Sequence, residues 1–263
     1  MFLSCKNLLI VLLVSLSLTI RAVELVEALE KFKKVYPNHI KKICASGIVW
    51  VDNTFMAIDN SEAESSIDNV SLADQLNQPL YSKGIPVAVP QEDPGRVRYE
   101  VFFRKMYGDS PEEVEKYLTE VVWLSKVFGD DAPRIKVTTI NNLHEKVENI
   151  SAELEDLVVE KPNYIDFLRN PGTYYWRTIA KTNRLSAHSF GIALDINPSC
   201  AQYWQWDLKN KGLPISENTP LEYRNTVPLE IVMIFEKYGF IWGGKWYHYD
   251  TMHFEYRPEL IEQ

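Results

Sequence analysis

Two short runs of this chain carry residue types that can do hydrolytic chemistry. The first ends in Ser186-Ala187-His188-Ser189-Phe190-Gly191-Ile192-Ala193-Leu194-Asp195, and the second is Asp250-Thr251-Met252-His253-Phe254-Glu255. Together they supply two imidazoles and several carboxylates. Zinc in hydrolases is usually held by three protein ligands while a fourth position stays open for water, and a nearby Asp or Glu takes the proton of that water. That division assigns His188, Asp195 and His253 to the ion (Zn2+) and Asp250 to the role of base. The reaction would be attack of water on an amide carbonyl, with Asp250 passing the proton to the leaving nitrogen. An arginine would help by polarising the carbonyl oxygen or clamping a substrate carboxylate. Arg177 and Arg184 both lie shortly before His188, and Arg177 is preferred. A lone His or Asp is usually a satisfied core or surface group; the joint arrangement is what points to a site.

These residues need a backbone that bends. His188 and Asp195 are seven positions apart, so one flat strand would point them to opposite faces. Gly191 is placed to allow the bend, after which Ile192, Leu194 and Ile196 read as a buried strand delivering Asp195 from its middle. Asp250 and His253, three apart, face one cavity only if the chain turns near Thr251, which leaves Glu255 on the side of His253 and Phe254 and Tyr256 on the other. Trp242-Gly243-Gly244-Lys245-Trp246 puts flexible backbone between aromatic walls, a setting for a small-substrate pocket. Trp204 and Trp206 either line a groove or pack beside the site. His248 is either a substrate contact or an ordinary, partly exposed histidine.

Around this centre the periodicity predicts further elements. Val23, Val26, Leu29, Phe32 and Val35 fall at helical spacing within residues 23–36, and Pro37 stops them. Residues 47–51 and 54–58 flank Asp52-Asn53 and read as a β-hairpin. Residues 59–98, with Pro79, Pro86, Pro90 and Pro94, read as a long ordered loop. A helix is expected from Ser110, which can cap it with Glu113, to near Gly129. Residues 135–139 read as a strand. A second helix follows with Leu143, Val147, Ile150, Leu154 and Leu157 on one stripe, closed by Pro162. Its acidic run Glu153, Glu155 and Asp156 reads as a solvated face. A third helix is expected over residues 226–239. The metal residues fall outside all three.

The composition suits a globular protein, since 46% apolar residues in a chain of 263 supply an ample core. Residues 7–20 form an uncharged apolar run after Lys6, shorter than the roughly 20 residues that span a bilayer. This is the layout of a secretory signal, with cleavage expected after Ala22; an uncleaved anchor is the alternative. Removing Lys6 and Arg21 with it leaves 26 basic against 36 acidic residues, a net charge of −10, which suggests neither a nucleic-acid nor an anionic-membrane partner. The mature chain keeps Cys44 and Cys200, which form either a bridge or two buried thiols. The expected organisation is a signal peptide (1–22), an N-terminal extension with hairpin and helix packed on the catalytic part (23–130), and a zinc peptidase domain (131–263). The protein is expected to be exported, to the periplasm or beyond, and monomeric.

At this point the chain resembles the zinc D-alanyl-D-alanine carboxypeptidases and L-alanyl-D-glutamate endopeptidases that trim bacterial cell-wall peptides. The shared signature is Ser-x-His-x6-Asp followed by Asp or Glu-x-x-His, met here by Ser186, His188, Asp195, Asp250 and His253. The strong part covers residues 172–256; the Trp50 hairpin and Asp93-Pro94-Gly95-Arg96 look like extensions of a secreted subgroup. The resemblance implies an α+β fold of the hedgehog/D,D-peptidase kind, with an antiparallel sheet carrying the zinc site and helices packed on one face. It also implies zinc, a peptidoglycan peptide as substrate, and Ser186 beside Trp204, Trp246 and His248 as candidate substrate contacts. Lys245 departs from the acidic residue usual there, which bears on substrate preference and leaves the metal ligands intact. D,D-carboxypeptidase activity is the first expectation and murein endopeptidase activity the second. A zinc-containing binding module without turnover is the rival, against which the base Asp250 argues.

Overall fold

The computed structural model describes residues 26–44, 46–58, 70–84, 92–180 and 182–261. The expected signal segment, residues 1–22, lies outside them. No described helix is long and apolar enough to cross a membrane. The chain divides into two compact units, Met1–Asn77 and Gln78–Gln263.

In the first unit, helix α1 (residues 26–35) buries Leu29 and Phe32 and leaves Val26 exposed. Three antiparallel strands follow in the order β1 (Ile40–Cys44), β2 (Gly47–Trp50) and β3 (Phe55–Ala57). The expected hairpin is β2–β3, with Val49 opposite Phe55 and Asn53 in the left-handed region at φ 69°. Strand β1 was not legible, because Lys41 and Lys42 interrupt its apolar pattern; pairing of Ile43 with Ile48 defines it. Helix α2 (Leu72–Leu76) stands inside the stretch expected to be loop. Ser71 and Asp74 close a reciprocal capping box there, and Leu72 is buried, which is enough for one turn.

The second unit opens with α3 (Glu100–Tyr107), which buries Phe102, Phe103, Met106 and Tyr107. The single helix expected from Ser110 to Gly129 is instead α4 (Pro111–Glu115), strand β4 (Leu118–Val122) and α5 (Ser125–Phe128). Ser110 does cap α4, but β-branched Thr119, Val121 and Val122 favour extended backbone. Strand β5 (Arg134–Thr138) supplies a five-residue ladder from Leu118–Thr138 to Val122–Arg134. Residue 130 lies in the connection between the paired strands β4 and β5, and the two compact units meet in sequence at Asn77.

Helix α6 (Leu143–Glu160) buries Leu143, Val147, Ile150, Leu154 and Val158, the expected stripe with Leu157 at its edge. Glu155 is not solvated: it is buried and accepts the Lys126 N–H at 2.7 Å, at the start of α5. After α7 (Ile165–Leu168) come β6 (Ala193–Asp195), α8 (Trp204–Asn210), α9 (Leu229–Lys237), β7 (Phe240–Trp242) and β8 (His253–Tyr256). Helix α9 begins only after Pro228, later than expected, because the proline sits at the cap rather than inside the first turn.

Strands β6, β8 and β7 form an antiparallel sheet in that order. Its register sets Asp195 directly across from His253 and Ala193 across from Glu255. Strand alternation sends Phe254 to the opposite face, where it stacks on Phe235 of α9 with ring centroids 3.9 Å apart. Helix α6 packs in turn on α9, β4 and β5. The result is mixed helices and antiparallel sheets, with α9 and α6 behind β8 and polar residues in front.

Candidate metal centre

All nine residues singled out from the sequence line one open cavity of about 620 Å³. The bend between His188 and Asp195 is a 3-10 turn, Ala187–Phe190, capped by the Ser186 hydroxyl, which accepts the His188 N–H at 3.4 Å. Gly191 ends the turn at φ 66°, and a β-carbon there would lie 2.6 Å from the Leu118 side chain. Asp195 is the last residue of β6 rather than the middle of a longer strand. Gly172 pairs with it through two backbone hydrogen bonds of 2.9 and 2.7 Å.

The ligand atoms of His188, Asp195 and His253 all lie within 4.8 Å of one another. Asp195 Oδ1 is 3.2 Å from His188 Nε2 and 2.9 Å from His253 Nδ1, and the two nitrogens are 3.3 Å apart. Each imidazole has its other nitrogen engaged. His188 Nδ1 donates to the Thr173 carbonyl at 2.6 Å, and His253 Nε2 donates to the Glu255 carboxylate at 3.4 Å. With those protons placed, His188 Nε2, His253 Nδ1 and Asp195 Oδ1 are three acceptors converging on one point. Such a set repels itself unless a cation joins it. A tetrahedral ion with bonds of roughly 2.0–2.2 Å would separate its ligand atoms by roughly 3.3–3.6 Å, close to the spacings here. The donor set therefore fits a zinc-type ion, with both ligand histidines oriented by a second hydrogen bond.

The electrostatics agree. Burial works against a charge on His253, yet its hydrogen bonds to Asp195 and Glu255, and the charge of Asp195, push it up to about 10. Burial also opposes the charge on Asp195, but His188 and His253 hold it well below the usual carboxylate range. Burial and the nearby Asp195 charge push Asp250 up to about 7, with His253, the Met252 N–H and Arg177 opposing. A carboxyl raised above its ordinary range suits a group that must accept and return a proton.

The turn expected at Thr251 is present, since the His253 N–H donates to the Asp250 carbonyl at 3.2 Å. The Asp250 N–H in turn donates to the Gly243 carbonyl at 3.0 Å, and a β-carbon on Gly243 would lie 2.6 Å from the Asp250 carbonyl oxygen. Asp250 Oδ1 is buried and has no hydrogen-bond partner among the described residues, so its capacity as an acceptor is unfilled. Arg177 projects an exposed guanidinium into the same cavity. Its backbone is clamped on both sides by buried Ser189, whose hydroxyl accepts the Arg177 N–H at 3.0 Å and donates to its carbonyl at 2.9 Å. Arg184 also lines the cavity but turns a guanidinium nitrogen to the Arg96 carbonyl at 3.4 Å.

Residues 180–256 match the D-alanyl-D-alanine carboxypeptidase family model. The match spans under a third of the chain and contains His188, Asp195, Asp250 and His253, whereas Arg177 lies just before it. Searches of curated proteins and of solved structures found no match. The matched family is one of metal-dependent peptidases acting on peptidoglycan, which agrees with the donor set.

Several side chains of the carboxypeptidase-like region stand differently from expectation. His248 is buried, not partly exposed: Nδ1 lies 2.6 Å from Asp93 Oδ2, and Nε2 lies 3.2 Å from the Glu217 carbonyl. With both nitrogens engaged, it builds the cavity rim instead of offering a free donor. Lys245 is absent from the cavity lining and buries its ammonium against Glu236 at 2.6 Å, over the Tyr81 ring. Its side chain thus takes no part in the cavity wall. Trp204 meets His248 edge-on at 4.8 Å, and Trp246 donates to the Pro94 carbonyl at 2.6 Å while its ring stands 5.7 Å from that of His253. Cys44 and Cys200 are free, half-buried thiols.

Sequence reasoning missed Tyr203, which pairs with Asp250 across a short antiparallel bridge and also lines the cavity. Burial, reinforced by the Asp250 charge, pushes its phenol up to about 12, so it remains a donor. Nothing local marks Tyr203, because the pairing spans 47 residues of sequence.

Proposed function

We propose that this protein is an exported zinc metallopeptidase that hydrolyses peptidoglycan stem peptides, foremost as a D-alanyl-D-alanine carboxypeptidase. One observation carries the reading: three acceptor atoms of His188, Asp195 and His253 converge within 4.8 Å, their orientation set by Thr173 and Glu255, inside a cavity that also holds Asp250 and Arg177. The match over residues 180–256 supports the substrate class, and the antiparallel β6–β8–β7 sheet backed by α9 supports a hedgehog/D,D-peptidase type of fold. The reading of residues 1–22 as a signal supports export.

His188, Asp195 and His253 would hold the ion. Zinc, when bound, supplies a Lewis acid and brings the pKa of the attacking water towards neutrality. Asp250 takes the proton of that water on its unpartnered Oδ1 and returns it to the leaving amine. Arg177 pairs in bidentate fashion with the terminal carboxylate of the substrate and so selects a chain end. Tyr203 and Trp204 wall the peptide from the α8 side. The cavity is roomier than two alanyl residues require, and this favours a second reading, an internal cut such as that at L-Ala-D-Glu. A binding module without turnover has no use for a carboxylate with one unpartnered oxygen beside an open site.

Mass spectrometry of defined muropeptides incubated with the purified protein, with zinc added or chelated, tests the proposal. Zinc-dependent loss of a terminal D-alanine is the expected result. An internal cut would select the endopeptidase reading, and no cleavage by zinc-loaded, folded protein would reject both.

A further inference from the structure

Arg98, well before the matched region, reaches the groups that surround the metal centre. Arg98 Nη1 donates to Glu255 Oε2 at 2.9 Å, and Arg98 Nη2 donates to the Leu185 carbonyl at 3.3 Å. Glu255 is the carboxylate that accepts the Nε2 proton of His253. Leu185 immediately precedes Ser186, the cap of the turn that carries His188. The guanidinium thus bridges the two segments that bring the histidines together, although these are some 65 residues apart in sequence. Leu185 is held from its other side too, since its N–H donates to Glu100 Oε2 at 2.7 Å. Two side chains of one short segment therefore take both backbone polar groups of Leu185.

The bridge is buried. The Arg98 side chain is 9% exposed and that of Glu255 is 0% exposed. The other oxygen of Glu255 accepts from Arg257 at 3.2 Å, and Arg257 Nε donates to Glu259 at 2.6 Å. In this enclosed cluster the orientation of Glu255 is set by what binds each of its oxygens, and Oε2 is shared between Arg98 and His253. Burial opposes the charge of Glu255, but Arg98 first, then His253 and Arg257, keep its carboxyl below the usual range.

We propose that Arg98 is a positioning residue of the metal centre, aligning His253 through Glu255 and the His188 turn through Leu185. The inference rests on the reading of His188, Asp195 and His253 as metal ligands. Its physical basis is the planar fork of arginine, which serves two acceptors on different segments at fixed angles; a lysine ammonium, a point charge on a flexible stem, holds one of them without fixing the other. Groups that orient ligand histidines typically contribute 10–100-fold in metal affinity.

The test is chelator competition for zinc on the full chain, together with thermal unfolding without metal, for the wild type, Arg98→Lys, Arg98→Met and the charge-balanced double variant Arg98→Met/Glu255→Gln. Roughly 10–100-fold weaker zinc binding is expected in each folded variant, with Arg98→Lys unfolding within a few degrees of the wild type. Zinc affinity within twofold of wild type in a folded variant overturns the proposal. Failure of all three variants to fold without metal also overturns it, because Arg98 would then hold the fold rather than the ligands. A wild type that binds no divalent ion instead rejects the metal reading itself, whatever the variants do.

Discussion

Successive residues of β8 belong to two chemistries. His253 faces the cavity and Glu255, on the same side, the buried ion pairs beside it, with Arg257 and Glu259 continuing the network beyond the strand. Phe254 and Tyr256 face away, against Phe235, Phe240 and Trp242. The front face is polar, hydrogen-bonded and converges on a charge; the back is ring against ring. Apolar burial scales with area and carries stability, whereas the front is organised around placement of a few atoms to within tenths of an ångström. The two faces should therefore fail differently, the front losing metal and turnover while folded and the back losing fold first.

The most severe front-face change is His188→Ala, which should abolish zinc binding and lower kcat by about a thousandfold or more, measured by chelator competition and muropeptide turnover. Asp250→Asn should keep the metal and lower kcat by about 10²–10⁴-fold; loss of metal in this variant would move Asp250 into the ligand set. On the back, Phe254→Ala should cost about 3–5 kcal/mol in denaturant unfolding while the surviving folded protein still binds zinc. Zinc binding lost at full stability would break the division between faces. Arg177→Ala should lower kcat/KM for removal of a terminal D-alanine by about a hundredfold and hardly affect an internal cut. Unchanged carboxypeptidase turnover would remove Arg177 from the mechanism.

The smallest effect lies on the cavity rim. Burial opposes the charge of Asp93, yet the His248 hydrogen bond and Arg96 hold its carboxyl below its ordinary value of 3.8. A carboxyl depressed in the folded state contributes stability above its unfolded pKa and loses that contribution as pH falls through its folded value. Asp93→Asn should thus destabilise by about 1.5–2 kcal/mol near pH 6, and the gap to wild type should close in acid, below about pH 4. A gap that stays constant with pH would mean that shape, and not charge, makes the rim.

Much of the centre was legible because ligand chemistry is written in residue type and short spacing. Parity along two brief runs already demanded a bend near Gly191 and a turn near Thr251, and it placed Glu255 beside His253. The stripe of α6 was legible for the same reason, since helical periodicity is a local property. Strand β4 was not, because a capped start at Ser110 reads as helix until β5 offers a ladder, and ladder energy is not local. Burial of His248 depends on Asp93 and Glu217, and the inward turn of Lys245 depends on Glu236 and Tyr81; no window of sequence contains those partners.

The sequence by itself thus determined which groups are able to bind a cation and accept a proton, because donor type and pleat parity are properties of adjacent residues. Only the tertiary structure decided which nitrogen of each histidine is free, that Tyr203 stands beside Asp250, and that Arg98 ties Leu185 to Glu255. Those outcomes depend on cross-strand register and on the packing of distant segments, where one hydrogen bond selects among orientations that local sequence leaves equivalent.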